Sequence, residues 1–266
     1  MAAIRMSDYL KTFTTRNLSK LQYYHHHQVS TKNYIAPTIC FIPGFRSFAF
    51  QSTKPQYLQQ FCLQENYSFL TWDHASQGTS VAADQDKVSV DLWFQDTLDI
   101  LAAKVDGPMI LIGSSMGAWI SLLVATRGMA SITQRLSGII GIGAGINFTE
   151  RWLNDEVPVK HPHYIWKRPS QYHESGSYEI PVRFLLNSRP CLLSENELSV
   201  TCPTVFVHGR LDMDSKLENI QNLAKRIPGS SVDVIENGDH RLSKAAELER
   251  IKLVIQQVIN GSFSRK

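Results

Sequence analysis

Gly113-Ser114-Ser115-Met116-Gly117 sets a serine between two glycines, each two positions away. This arrangement suits nucleophilic attack on an acyl carbon. The central serine sits on a strained turn between strand and helix, and the flanking glycines let those elements approach without side-chain collision. Ser115 has this flanking. Ser114 lacks it, because Ile112 and Met116 occupy the corresponding positions.

A serine hydroxyl is a poor nucleophile at neutral pH and needs a base, itself oriented by an acid. After a strand-elbow-helix serine these follow in the chain order acid, then His. Asp212 and His240 supply that order. Asp212 stands just past an apolar run, 204–208, where the sites of open sheets lie. His240 follows the run 232–235 through the turn-rich Glu236-Asn237-Gly238-Asp239. Asp214 reads instead as an N-cap for the helical stripe beginning at Leu217. Asp239, adjacent to the base, is badly placed to orient it. His208 ends a strand and reads as a packing residue. Acyl transfer also requires donors for the tetrahedral oxyanion. The backbone N–H groups of Met116 and of Phe45, in Pro43-Gly44-Phe45, are the candidates.

The elements that must hold these groups follow from short, nearly continuous apolar runs at 38–42, 68–72, 109–112, 138–142, 204–208 and 232–235. Their alternation with helical segments predicts an α/β fold with a mostly parallel sheet covered by helices on both faces. Helical spacing recurs in Tyr57, Leu58, Phe61 and Cys62, then in Leu217, Ile220, Leu223 and Ile227, and again in Leu248, Ile251, Ile255 and Val258. Between Asn147 and Thr201 no apolar strand is evident, and five prolines punctuate aromatic-rich sequence. This stretch, 147–201, is expected to be a cap inserted in a single domain spanning 1–266.

Composition narrows the function. With 27 Lys and Arg against 24 Asp and Glu, scattered along the chain, there is no basic stripe for nucleic acid. The most apolar window, 108–126, is broken by glycine and serine, so no membrane span is expected. Cys40, Cys62, Cys191 and Cys202 form no Cys-x-x-Cys pair and read as buried thiols. His25-His26-His27 and His161-Pro162-His163 lack companion Cys or carboxylate spacing, so neither a metal nor another cofactor is expected. The first 36 residues carry five basic residues and one acidic residue. Segment 1–20 reads either as a targeting peptide or as an arm leading into a β-hairpin, in which Leu21, Tyr23 and His25 alternate with polar neighbours.

Taken together, these residues resemble an α/β-hydrolase-domain subfamily, that of abhydrolase domain-containing protein ten. It is known for mitochondrial palmitoyl-protein thioesterase and acyl-glucuronide esterase activity. The resemblance runs from about Phe41 to the terminal helix. It rests on Phe41-Ile42-Pro43-Gly44-Phe45, the serine pentapeptide, Pro169-Ser170-Gln171-Tyr172, Cys191-Leu192-Leu193, Val200-Thr201-Cys202-Pro203, His208-Gly209 with Asp212, and Asp239-His240. The sequence departs from the pattern at Ser76 and Ala118, where the family has glycine, and at Met213-Asp214-Ser215 after the acid. The resemblance implies the α/β-hydrolase fold, a mitochondrial setting, and hydrolysis of small-molecule or protein-attached acyl esters or thioesters. A peptidase or general carboxylesterase on the same residues, and a ligand-binding protein without turnover, are the alternatives.

Overall fold

The computed structural model describes residues 5–28, 36–170, 173–194 and 198–261. The first four residues of segment 1–20, and Gln171 and Tyr172 of the stretch 147–201, lie outside them. Eight strands form the main sheet: β1 (Lys11–Thr14), β2 (Lys20–His26), β3 (Thr38–Ile42), β4 (Phe69–Trp72), β5 (Met109–Ser114), β6 (Leu136–Ile142), β9 (Thr204–Gly209) and β10 (Ser231–Ile235). Their spatial order is β1-β2-β4-β3-β5-β6-β9-β10. The hairpin β1–β2 and its junction with β4 are antiparallel; every other pairing in this sheet is parallel.

The continuous apolar runs have a direct cause. Both faces of the central strands are covered, so successive side chains alternate between two cores. In β3, Cys40 and Ile42 enter the core beneath α2 (Val90–Lys104) and α3 (Met116–Arg127), with Trp72, Trp93 and Trp119. Ile39 and Phe41 enter the other, beneath α1 (Thr53–Gln64) and α8 (Ala245–Ile259), with Phe61, Val205 and Ile255. Among the described residues the remaining α-helices are α4 (Ala130–Thr133), α5 (Phe148–Arg151), α6 (Val182–Asn187) and α7 (Leu217–Lys225).

Within segment 1–20, Met6 is buried and β1 pairs with β2 along its whole length. Arg16 is tied to α2 through Asp99: its N–H donates to Oδ2 at 2.7 Å and its Nε to Oδ1 at 2.6 Å. From residue 5 onward the segment therefore forms a folded arm.

The stretch 147–201 contains a strand pair that the apolar pattern does not signal. β7 (Ile165–Pro169) and β8 (Ser177–Pro181) form an antiparallel hairpin separate from the main sheet. Each buries a single side chain, Trp166 or Ile180, so the apolar run that marks a central strand is missing. The stretch is pinned at its base. Asn147 donates through Nδ2 to the Leu193 carbonyl at 2.8 Å and accepts the Leu193 N–H at 2.9 Å. Among the described residues no helix is long and apolar enough to cross a membrane.

Candidate active site

β5 ends at Ser114, α3 begins at Met116, and Ser115 makes the turn with φ +53° and ψ −116°. A non-glycine residue rarely adopts this conformation, and it persists here because its surroundings hold it. The Ser115 N–H donates to Ile142 O of β6 at 2.8 Å, and no cap bond engages the hydroxyl. The steric reason for the glycines is explicit. A Cβ on Gly117 would lie 2.0 Å from the Ile42 carbonyl oxygen, and one on Gly113 would lie 2.3 Å from the Ala118 nitrogen.

The three residues singled out from chain order meet at one point. Ser115 Oγ lies 3.1 Å from His240 Nε2, and His240 Nδ1 lies 2.7 Å from Asp212 Oδ2. Asp212 is buried at the carboxyl end of β9. Its Oδ1 accepts the N–H groups of Asp214 at 2.9 Å and Ser215 at 2.8 Å. Nδ1 therefore faces a carboxylate acceptor, which fixes Nε2 as the nitrogen turned to the serine.

Met116, at the N-terminus of α3, and the Gly44-Phe45 turn after β3 flank Ser115. A Cβ on Gly44 would lie 3.1 Å from Ser115 Cβ. The Phe45 ring is in contact with Trp93, Phe148, Trp152, Tyr178 and Phe184, with centroids 5.1 to 6.4 Å apart, so one side chain joins α2 to the stretch 147–201. The next residue, Arg46, donates through Nη2 to the Glu179 carbonyl of β8 at 2.7 Å.

A cavity of about 590 Å³ opens over Ser115 and His240. Phe45, Phe148, Trp152 and Tyr178 supply an aromatic side, and Lys54, Ser243 and Arg241 a polar one. Lys54 Nζ donates to the Arg241 carbonyl, which ties α1 to the loop carrying His240. Burial, followed by the nearby Arg241 charge, lowers its pKa to about 8.

Asp214 does not cap α7, as its sequence position suggests. Lys216 is the N-cap residue. Asp214 Oδ1 accepts from Arg168 Nη2 at 3.3 Å, and the Arg168 guanidinium lies 4.3 Å from the centroid of the Trp152 ring. The loop carrying Asp212 is thereby connected to β7.

Asp73 and His74, in the loop after β4, support the opposite side. Asp73 Oδ1 accepts the Ala49 N–H at 2.6 Å, and burial raises its pKa to about 7. His74 Nε2 bonds the Pro43 carbonyl at 3.2 Å and its ring stacks on Trp93; burial lowers its pKa to about 4. Adjacent Asp and His directly after the apolar run 68–72 and shortly before Gly78 are the available sequence signal. Ser76 has φ +63°, the region that favours glycine, so this departure from the family pattern falls at a strained position.

His25 and His27 pack edge to face, while His163 accepts from Arg183 beside His161. Among the described residues no group of three or more His, Cys, Asp or Glu is placed to hold a metal ion. All four cysteines are buried, and none is joined in a disulfide.

No family model matches the chain. It is similar to the rat protein named palmitoyl-protein thioesterase ABHD10, mitochondrial, with 29% identity over 235 residues, 84% of this chain and 75% of that one. The solved structure of mouse alpha/beta hydrolase domain-containing protein 10 superposes with a TM-score of 0.81 at 26% identity, over 94% of this chain and 98% of that one. A putative hydrolase from Agrobacterium vitis S4 superposes with a TM-score of 0.83 at 19% identity, over the same shares of the two chains. The fold is the α/β-hydrolase fold, and the similarity reaches the same subfamily that the sequence motifs resemble.

Proposed function

We propose that the protein is a serine hydrolase that cleaves carboxylic esters or thioesters through an acyl-enzyme on Ser115. The observation that carries this reading is the chain of contacts from Ser115 Oγ through His240 to Asp212, at 3.1 and 2.7 Å. Ser115 Oγ attacks the acyl carbon while His240 Nε2 takes its proton. The Phe45 and Met116 N–H groups stabilise the oxyanion. His240 returns the proton to the departing alcohol or thiol, and a water then repeats the sequence to release the acid. Asp212 holds the imidazole tautomer and stabilises its cation. No cofactor takes part in these steps.

The aromatic side of the cavity favours an apolar acyl group, and the names of the relatives favour acyl thioesters on proteins in mitochondria. Labelling with a fluorophosphonate probe tests the mechanism: the parent chain reacts and Ser115→Ala does not. An unlabelled, folded parent would overturn it. A panel of thioester, oxygen-ester and amide substrates separates a thioesterase from a general carboxylesterase or peptidase. Cell fractionation tests the location, and recovery of the full-length chain only from the cytosol would reject the mitochondrial assignment.

A further inference from the structure

His208, the penultimate residue of β9, is fully buried and has a polar environment of an unusual kind. Its Nε2 lies 2.8 Å from the Ser215 carbonyl oxygen and 3.3 Å from Asp212 Oδ2. Both neighbours are acceptors. Nε2 must therefore carry a proton, which leaves Nδ1 as an acceptor, and Nδ1 is buried without a hydrogen-bond partner among the described residues. Burying an unpaired ring nitrogen costs stability, so the position is poorly explained as a satisfied core residue. What the imidazole supplies is a donor between two oxygens that would otherwise repel each other.

We infer that His208 is a positioning residue for Asp212, holding its carboxylate and the turn through Ser215 in the orientation that His240 requires. This rests on the proposed roles of Ser115, His240 and Asp212. The Ser215 N–H donates to Asp212 Oδ1, the Ser215 carbonyl accepts from His208, and Ser215 Oγ donates to the Ala144 carbonyl at 2.6 Å. Releasing the carbonyl loosens the residue whose N–H also fixes Oδ1. Burial keeps His208 neutral, although the Ser215 carbonyl and Asp212 favour its protonated form. A neutral donor orients the carboxylate without cancelling its charge, so the full anion remains available to the His240 cation.

Asp212 and His240 face His208 directly. Asp214, beyond the turn, is paired with Arg168. Lys54 and Asp239 adjoin the loop that carries His240 and Arg241.

Two polar replacements separate positioning from packing. In His208→Gln the amide nitrogen reaches the place of Nε2, whereas in His208→Asn it falls at the place of Nδ1. For hydrolysis of a p-nitrophenyl ester, His208→Asn should lower kcat about tenfold with KM within about twofold. The acid limb of its pH profile should move to lower pH, because a turned carboxylate stabilises the His240 cation less. His208→Gln should recover most of both properties. The far-downfield proton resonance of the His240–Asp212 hydrogen bond, followed in a Ser115→Ala background, should weaken in the Asn variant and return in the Gln variant.

Asn and Gln variants equal to the parent in kcat, pH profile and resonance would overturn the inference. An acid limb moved upward with kcat intact would also overturn it, since that is the signature of charge competition alone. If neither variant folds, nitrogen chemical shifts of His208 in the parent decide: a protonated Nε2 supports the assignment and a protonated Nδ1 rejects it. A parent without turnover but with a responsive resonance would instead count against the role of Ser115.

Discussion

Asp73 Oδ1 accepts the Ala49 N–H at 2.6 Å and so ties the loop after β4 to the segment following Phe45. Burial raises the Asp73 pKa to about 7. Between about pH 4 and pH 7 the folded protein keeps this proton while the unfolded chain has released it, so the stability contribution of Asp73 falls as pH rises. Asp73→Asn removes that dependence. Its stability relative to the parent should rise by a few kcal/mol between pH 4.5 and pH 7.5 in urea titrations. His25 and His74, whose pKa values burial lowers to about 4, act in the opposite sense but are common to both proteins. A difference that does not change with pH would refute this account.

Gly117→Ala drives a methyl group into the Ile42 carbonyl, 2.0 Å away. The strand end preceding Phe45 must then move. We expect a loss of about 3 kcal/mol or more in thermal unfolding, together with slowed fluorophosphonate labelling of whatever remains folded. Parent-like labelling would show that the elbow tolerates the displacement.

Asn147 has φ +53° and makes both of its side-chain bonds to Leu193 at the base of the stretch 147–201. Asn147→Ala loses the two hydrogen bonds and strains the left-handed backbone, a combined cost of about 2 to 3 kcal/mol. Asn147→Gly loses only the hydrogen bonds, and should be about 1 kcal/mol milder. Limited proteolysis within 147–201 measures the order, which is wrong if alanine proves the gentler change.

The parts legible in the sequence were those in which a single force dominates. Burial on both faces makes β3, β5 and β9 continuous apolar runs, and the steric demand of the elbow makes its glycines visible. β7 and β8 lack such a signature because one buried side chain each leaves their composition polar. Helix α2 does carry apolar helical spacing, in Val90, Trp93, Phe94, Leu98 and Leu101, beginning after an N-cap bond from Leu92 N–H to Ser89 Oγ. The contacts of His208 and Asp214 were not legible: the first is decided by where a short turn points the Ser215 carbonyl, the second by a side chain, Arg168, that the fold brings in from a distant strand.

Arg168 joins three parts of the site: its guanidinium lies over Trp152, and its nitrogens lie 3.3 Å from Asp214 and 3.4 Å from Glu156. Arg168→Met removes the stacking and both ion pairs. An effect of about 1 kcal/mol on substrate affinity corresponds to a KM about fivefold higher for acyl substrates. Steady-state kinetics check this, and an unchanged KM would mean that the cap keeps its seat without the cation.

Arg46 holds the carbonyl of Glu179 from the residue next to Phe45, so outward movement of the cap must either break that bond or drag the Phe45 peptide with it. The Phe45 peptide, the proposed oxyanion donor, and the β7–β8 hairpin thus form one mechanical unit for as long as the Arg46 bond lasts, and a displacement of the hairpin is felt at the catalytic loop.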